Sequence, residues 1–159
     1  MKIPRNRSAA WMLGVAIALA ANLARTSPPN IYPEPERAKS DLAAALHAAP
    51  RSHKRIILDF GGNWCPDCHL LDLYLHDQSN RPILEANFIL VHINIGRQDE
   101  NLDVATRYQI PLEKGVPALA VLDEDGKLLF SQQTGQFESM RRMESSAVGD
   151  FLARWKRPG

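Results

Sequence analysis

The chain has too few cysteines for a disulfide framework and no marked excess of either sign of charge. It contains only two cysteines in 159 residues, which excludes a small fold stapled by several disulfide bonds. Its 19 basic and 18 acidic residues leave a formal charge of +1, and the basic residues are scattered. This charge balance gives no basis for nucleic acid as a partner. The remaining composition, 45% hydrophobic and 23% charged, is typical of one globular domain with a short appendage.

The first 25 residues differ in composition from the rest of the chain. Three basic residues within the first seven positions precede an apolar run from Ala9 to Ala21. This pattern, with the small-x-small sequence Ala18-Leu19-Ala20, is typical of a secretory signal. An uncleaved anchor is the alternative, because the run could extend to Ala24, although about 20 apolar residues are needed to span a bilayer. We therefore predict a signal peptide or signal anchor over 1–25 and export, to the periplasm if the source is a Gram-negative bacterium.

The next segment is rich in proline. Four of the residues in 26–37 are prolines, a density that favours an extended tether over packed structure. The sequence therefore predicts a proline-rich linker over 26–37 and a folded domain over 38–159.

The pattern of the folded part predicts an α/β architecture. Apolar residues from Leu42 to Ala49 recur at helical spacing, which predicts a first helix that ends at Pro50. After this helix, short β-branched or apolar runs alternate with helical patterns. The sequence Asp-Glu-Asp-Gly indicates the turn of a hairpin, with Gly126 as the turn residue that can adopt a positive φ. This order predicts one mixed β-sheet flanked by helices on both faces, with an extra N-terminal helix. Strands are predicted at 55–60, 88–95, 118–122 and 127–132, and further helices at 66–77, 101–109 and 148–155.

The two cysteines stand at the junction between the first predicted strand and the following helix. Cys65 and Cys68 are separated by two residues, a spacing typical of redox-active dithiols. Pro66 is suited to the first turn of a helix, so Cys65 would lie at a helix N-terminus, where a thiolate is stabilised. We expect Cys65 to attack a substrate disulfide and Cys68 to resolve the mixed disulfide. Trp64 is expected to pack beside the pair and shape the surface around it.

These residues together resemble the thioredoxin superfamily. The resemblance is carried by Asp59-Phe60, by Trp64-Cys65-Pro66-Asp67-Cys68 and by Val116-Pro117 ahead of the third strand, and it covers residues 38–155. It implies a thioredoxin fold and a thiol–disulfide oxidoreductase that needs no bound cofactor. It further implies that Asp59 is a buried acid that shuttles the proton of Cys68, and that Pro117 follows a cis peptide bond. The backbone of Val116 would then pair with a substrate strand beside Cys65.

The residue between the cysteines bears on the direction of electron transfer. The carboxylate of Asp67 opposes formation of a thiolate at Cys65, and a less stabilised thiolate makes the disulfide less oxidising. This favours a reductase of protein disulfides. The expected partners are disulfide-bonded proteins and a membrane thiol–disulfide electron donor.

Two other classes of function fit part of the pattern. Cys65, Cys68 and His69 also satisfy C-x-x-C-H, the attachment pattern of c-type haem, or could provide three ligands to copper or zinc. A catalytically silent thioredoxin-fold adaptor is the other alternative. The dithiol interpretation is favoured because the cysteines lie in a strand–turn–helix context.

Overall fold

The computed structural model describes residues 29–158, which form a four-stranded sheet with helices on both faces. This arrangement confirms the predicted thioredoxin fold. The predicted export segment, 1–25, and the first residues of the predicted linker lie outside the described residues. The helices are α1 (Ala38–Ser52), α2 (Pro66–Leu75), α3 (Arg81–Asn87), α4 (Leu102–Arg107) and α5 (Ser145–Trp155), and the strands are β1 (Arg55–Gly61), β2 (Phe88–Asn94), β3 (Ala118–Leu122) and β4 (Leu128–Ser131).

The order of the strands brings β1 to the interior of the sheet. The order is β2-β1-β3-β4, with β1 parallel to β2 and antiparallel to β3. β3 and β4 form an antiparallel hairpin, whose turn uses Gly126 at φ +83°. The register places Asp59 of β1 beside His92 of β2. Two side chains far apart in sequence thus become neighbours behind the dithiol.

Both faces of the sheet are covered by apolar side chains. On one face, Ile56, Leu58 and Phe60 of β1 pack with α1 and α4. On the other face, Ile57 packs with α2 and α5. Because β1 is buried on both faces, its sequence is an almost continuous apolar run, and Asp59 is the one charged residue in its buried part.

The first helix extends beyond its predicted end. α1 continues to Ser52 and includes Pro50 in its last turn, so the predicted stop at Pro50 is wrong. Pro50 has no N–H to donate to the Leu46 carbonyl and its ring crowds that turn, but the burial of the apolar face of the helix offsets this cost. The helix ends instead at His53, which adopts the left-handed conformation (φ 54°, ψ 38°) and donates its backbone N–H to the Ala49 carbonyl.

The end of the predicted linker is packed structure, contrary to the prediction of a tether. We call residues 31–37 the N-terminal arm. Tyr32 is only 1% exposed, and the side chains of Asn94 and Asn101 donate hydrogen bonds to the carbonyls of Pro33 and Pro35. The folded unit therefore begins before Ala38, because a buried aromatic side chain and long-range hydrogen bonds hold a segment whose prolines alone favour extension. Within residues 29–158, no helix is both long and apolar enough to cross a membrane.

Candidate active site

Cys65 and Cys68 form a disulfide at the start of α2. Cys65 is the N-cap residue, and Pro66 occupies the first position of the helix. The backbone N–H of Cys68 donates to Cys65 Sγ over 3.1 Å. Cys68 is fully buried, whereas Cys65 retains 4% of its surface. The predicted difference between the two sulfurs is present, since only Cys65 has any accessible surface and only its sulfur accepts a backbone N–H at the helix N-terminus.

The segment before β3 faces the disulfide. The peptide bond between Val116 and Pro117 is cis, and the carbonyl oxygen of Val116 lies 3.7 Å from Cys65 Sγ. Gln132 supports this segment from within the protein, since its amide donates to the Pro117 carbonyl and accepts from the Leu119 N–H, each over 3.3 Å. The structure thus brings Val116 and Pro117 to Cys65, as the resemblance implied, and adds Gln132, which the sequence analysis did not identify.

Trp64 lies at the surface beside the disulfide. It is 39% exposed, its indole N–H donates to the Gly96 carbonyl, and the Arg97 guanidinium carbon lies 5.7 Å from the ring centroid. The predicted position next to the site is therefore observed, with the ring forming part of the outer surface.

Asp67 is paired with an arginine. The carboxylate accepts the backbone N–H of Arg141 over 3.2 Å and the guanidinium nitrogens over 3.3 and 3.1 Å. The carboxylate is almost buried, whereas the Arg141 side chain is largely exposed. The Arg141 cation offsets part of the field of this carboxylate, and the effect of Asp67 on the Cys65 thiolate stays a prediction.

Asp59 is fully buried and joins three elements. Its Oδ2 atom accepts the hydroxyl proton of Tyr32 over 2.8 Å and lies 2.9 Å from Nδ1 of His92. Its Oδ1 atom is buried and has no partner among the described residues. Burial and the nearby Asp59 raise the pKa of Tyr32 well above its usual value, so the hydroxyl stays protonated and donates. The acid thus occupies the buried position that the resemblance implied, with two partners that it did not.

His92 is the titratable partner of this acid. Burial lowers the pKa of His92, but the hydrogen bond and the charge of Asp59, with the charge of Asp72, outweigh burial and raise it above its ordinary value. His92 Nε2 lies 3.7 Å from Asp72 Oδ1. His92 is therefore held between two carboxylates that favour its protonated form.

The alternative ligand His69 has a partner within the protein. Its Nε2 atom lies 2.9 Å from the carbonyl oxygen of Asn63, in the loop ahead of Trp64. Over the part of the chain that the structure describes, no group of three or more His, Cys, Asp and Glu side chains is arranged to hold a metal ion. His69 thus supports the loop that precedes Trp64.

Comparison with known proteins agrees with this geometry. The family model described as thioredoxin-like matches residues 37–124. A disulphide isomerase from Xylella fastidiosa Temecula1 is 35% identical over 79% of this chain and 96% of its own, with a TM-score of 0.75. The chain belongs to the thioredoxin-like family.

More distant structures share the fold of this thioredoxin-like protein. A thioredoxin from Thermus thermophilus is 20% identical, with 77% of this chain and 83% of that chain covered and a TM-score of 0.52. The C-terminal domain of DsbD from Neisseria meningitidis, in its reduced form, is 20% identical, with 75% and 96% covered and a TM-score of 0.50. The search of curated proteins gave no significant match. The family and the Cys65–Cys68 pair establish a thiol–disulfide oxidoreductase in general terms.

Several site residues of the thioredoxin-like protein were missed by sequence analysis. Pairing the first two predicted strands in parallel would have placed His92 close to Asp59, because the runs 55–60 and 88–95 are similar in length. Tyr32 and Arg141 carry no comparable signal. Each reaches the site through a loop or an irregular segment, whose path neither periodicity nor spacing specifies.

Proposed function

We propose that this thioredoxin-like protein reduces disulfide bonds in other proteins through Cys65 and Cys68. The observation that carries the proposal is the position of the pair: Cys65 Sγ at the N-terminus of α2, with Cys68 buried one turn further on. The Cys65 thiolate would attack a substrate disulfide and form a mixed disulfide. Cys68 would then attack Cys65 Sγ, restore the internal disulfide and release the substrate as a dithiol.

The surface around Cys65 supports an extended polypeptide as substrate. The Val116 carbonyl oxygen lies beside Cys65 Sγ, ahead of the first residue of β3, where a backbone N–H of a bound strand could reach it. Trp64 offers an exposed aromatic face on the same surface. A strand that pairs with Val116 would bring its disulfide to Cys65.

Regeneration of the dithiol requires a second protein. We infer a thiol–disulfide donor in the membrane, since the basic and apolar N-terminal sequence is typical of export and the oxidised Cys65–Cys68 pair must be reduced before it can act again. Export itself can be tested by fractionating cells that express the full chain. Recovery of the folded domain only from the cytoplasm would contradict this part of the proposal.

Trapping of substrates tests the mechanism directly. Cys68→Ser should accumulate mixed disulfides on Cys65, which are released by dithiothreitol and identified by mass spectrometry. Cys65→Ser is the matched control and should trap nothing and lose insulin disulfide reduction. Retention of that activity in Cys65→Ser would overturn the assignment of Cys65 as nucleophile.

Isomerisation is a second candidate, favoured by the 35% identity to the Xylella protein described as a disulphide isomerase. An isomerase leaves the number of substrate disulfides unchanged, whereas a reductase lowers it. Refolding of scrambled ribonuclease in a glutathione buffer distinguishes the two. Recovery of ribonuclease activity by catalytic amounts of the protein would favour isomerisation, and failure of recovery alongside insulin reduction would favour the reductase.

A further inference from the structure

The carboxylate of Asp59 is held by one oxygen and open at the other. Tyr32 Oη and His92 Nδ1 both contact Oδ2, at 2.8 and 2.9 Å. A carboxylate oxygen can only accept, so both partners donate and together fix the rotation of the side chain. Oδ1 is left buried without a partner among residues 29–158. An unpaired buried carboxylate oxygen costs free energy, and such a group calls for a proton donor that is absent from the oxidised state.

The sulfur of Cys68 lies close to the Tyr32 hydroxyl that contacts Asp59. Tyr32 and Cys68 share the space in front of Gly61: a Cβ atom at Gly61 would overlap the Tyr32 hydroxyl and lie 2.7 Å from Cys68 Sγ. The hydroxyl that contacts Asp59 therefore lies near the sulfur as well. In the disulfide this sulfur carries no hydrogen, and in the dithiol it carries the one that must leave.

We propose that Tyr32 and His92 are positioning residues that hold Asp59 as the base for the Cys68 thiol in the resolving step. The inference deepens the proposed function and rests on it, because a resolving step exists only if Cys65 first forms a mixed disulfide. Asp59 itself is the acid that the family resemblance implied, whereas Tyr32 and His92 are properties of this chain.

In the resolving step, each bond that forms is matched by one that breaks. The Cys68 S–H bond breaks, and its proton passes to Asp59. Cys68 Sγ forms a bond to Cys65 Sγ as the bond from Cys65 to the substrate sulfur breaks. The electron pair leaves with the substrate thiolate, so the substrate is reduced and the Cys65–Cys68 pair is oxidised. Asp59 then gives the proton up to solvent, from which the substrate thiolate takes one, so Asp59 is a carboxylate again in the oxidised protein; when the pair is reduced, Cys68 takes up a proton again.

The arm that carries Tyr32 is joined to the reactive loop. The backbone N–H groups of Ile31 and Tyr32 both donate to Asn63 Oδ1 over 2.9 Å, and Asn63 Nδ2 donates to the Tyr32 carbonyl over 2.8 Å. Asn63 comes two residues before Cys65 in the chain. The position of the Tyr32 hydroxyl is therefore tied to the same loop that presents the nucleophile.

The groups around His92 predict the pH dependence of the step. The groups in contact with His92 are Asp59 on β1, Tyr32 on the arm and Asp72 on α2. His76, the C-cap residue of α2, lies 3.1 Å from Asp72. Asp41 of α1 lines a cavity of about 380 Å³ that His92 also lines. The carboxylates outnumber the cations, and although burial lowers the pKa of His92, the hydrogen bond and charge of Asp59 raise it above its ordinary value of 6.5. The resolving rate should therefore show one inflection above pH 6.5 that belongs to His92.

Rapid-quench kinetics on the full chain separate the two chemical steps. The reduced protein is mixed with a disulfide-bonded peptide, and the mixed disulfide is followed by mass spectrometry after acid quenching. Tyr32→Phe should slow release of the peptide about tenfold, a fraction of the 10²- to 10⁴-fold that a positioned base supplies. Alkylation of Cys65 by iodoacetamide should keep its wild-type rate. Tyr108→Phe is the matched control, because the Tyr108 hydroxyl is also buried and has no hydrogen-bond partner within residues 29–158.

Two further variants guard against a purely structural effect. His92→Gln should slow release and remove the inflection above pH 6.5, which a packing defect would not do. Asn63→Ala leaves Asp59 untouched but frees the arm, and should slow release to a similar extent as Tyr32→Phe. Wild-type release rates in Tyr32→Phe and Asn63→Ala, with an unchanged pH profile in His92→Gln, would overturn the inference. A failure of Cys68→Ser to form any mixed disulfide would instead reject the proposed function.

Discussion

The charge of a residue beside a reactive sulfur depends on what the residue is paired with. Asp67 lies between the two cysteines, and its carboxylate alone would disfavour a thiolate at Cys65. Arg141 meets it with three hydrogen bonds, yet the two are 74 positions apart in the chain. Sequence reasoning found the carboxylate and could not find the cation, because the pairing depends on the path of the loop before α5.

The pair Asp67–Arg141 predicts opposite shifts of the reduction potential. Asp67→Asn leaves the guanidinium uncompensated near Cys65, stabilises the thiolate and should raise the potential. Arg141→Gln leaves the carboxylate uncompensated and should lower it. Each shift should be on the order of 10 to 30 mV, since 30 mV corresponds to about 1.4 kcal/mol. Equilibration with glutathione measures both, with the exposed neighbour variant Arg142→Gln as a control that should not shift.

Gly61 is required for the close approach of Tyr32 and Cys68. Gly61→Ala places a Cβ atom against both, whereas the Cβ atom of Gly62→Ala meets the half-exposed Trp64 ring, with Nε1 at 2.6 Å, and lies 3.4 Å from the Gly96 carbonyl oxygen. We expect Gly61→Ala to lower the free energy of unfolding by about 1 to 3 kcal/mol, the usual cost of overpacking a buried site. Urea unfolding of both variants checks this. An equal effect of Gly62→Ala would show that the loop, and not the contact, is sensitive.

At the scale of elements, the strands and most helices follow from apolar periodicity, and their ends do not. β1 and β3 were predicted to within one residue because each is a short buried run with clear flanks. α1 was predicted to end at Pro50, but the local preference of one proline is weaker than the packing of the whole helix. The arm was predicted as a tether for the same reason, since the socket that receives Tyr32 is formed by residues from distant parts of the chain.

The end of α1 offers a test of local conformational strain. His53 takes the left-handed conformation at φ 54°, which glycine adopts without penalty. His53→Gly should raise the free energy of unfolding by about 0.5 to 1 kcal/mol, since its exposed contact with Glu124 contributes little. His53→Ala keeps the strain and should give no gain. Thermal unfolding of the two variants distinguishes release of strain from loss of the side chain.

At the scale of the whole molecule, the fold could be predicted because the order of elements and the position of the dithiol agree with each other. The contacts that connect distant segments could not. Asp77, in the turn after α2, accepts hydrogen bonds from Ser145 at the start of α5 and from Ser79 and Asn80 within the turn. Asp77 thus joins the two helices that cover one face of the sheet.

This junction predicts a dependence of stability on acid. The hydrogen bond from Ser145, followed by that from the Asn80 N–H, lowers the pKa of Asp77 from 3.8 to about 2. A carboxyl group whose pKa is lowered by folding stabilises the protein at any pH above the pKa that the group has in the unfolded chain. This stabilisation is lost as the pH falls through the folded pKa of about 2. Asp77→Asn should therefore be less stable than the wild type at pH 6, and the difference should shrink toward pH 2. A difference that stays constant between pH 6 and pH 2 would contradict this assignment.

Cys68 is fully buried, whereas Cys65 is 4% exposed, so Cys65 is the residue of the pair that another protein can reach. On the proposed function, the protein that delivers electrons and the protein that receives them must both reach Cys65, over the same surface beside Trp64 and Val116. The two partner proteins therefore cannot bind at the same time, and each must dissociate before the other binds. Turnover should follow ping-pong kinetics, with parallel lines in double-reciprocal plots. An excess of either partner protein should competitively inhibit the other.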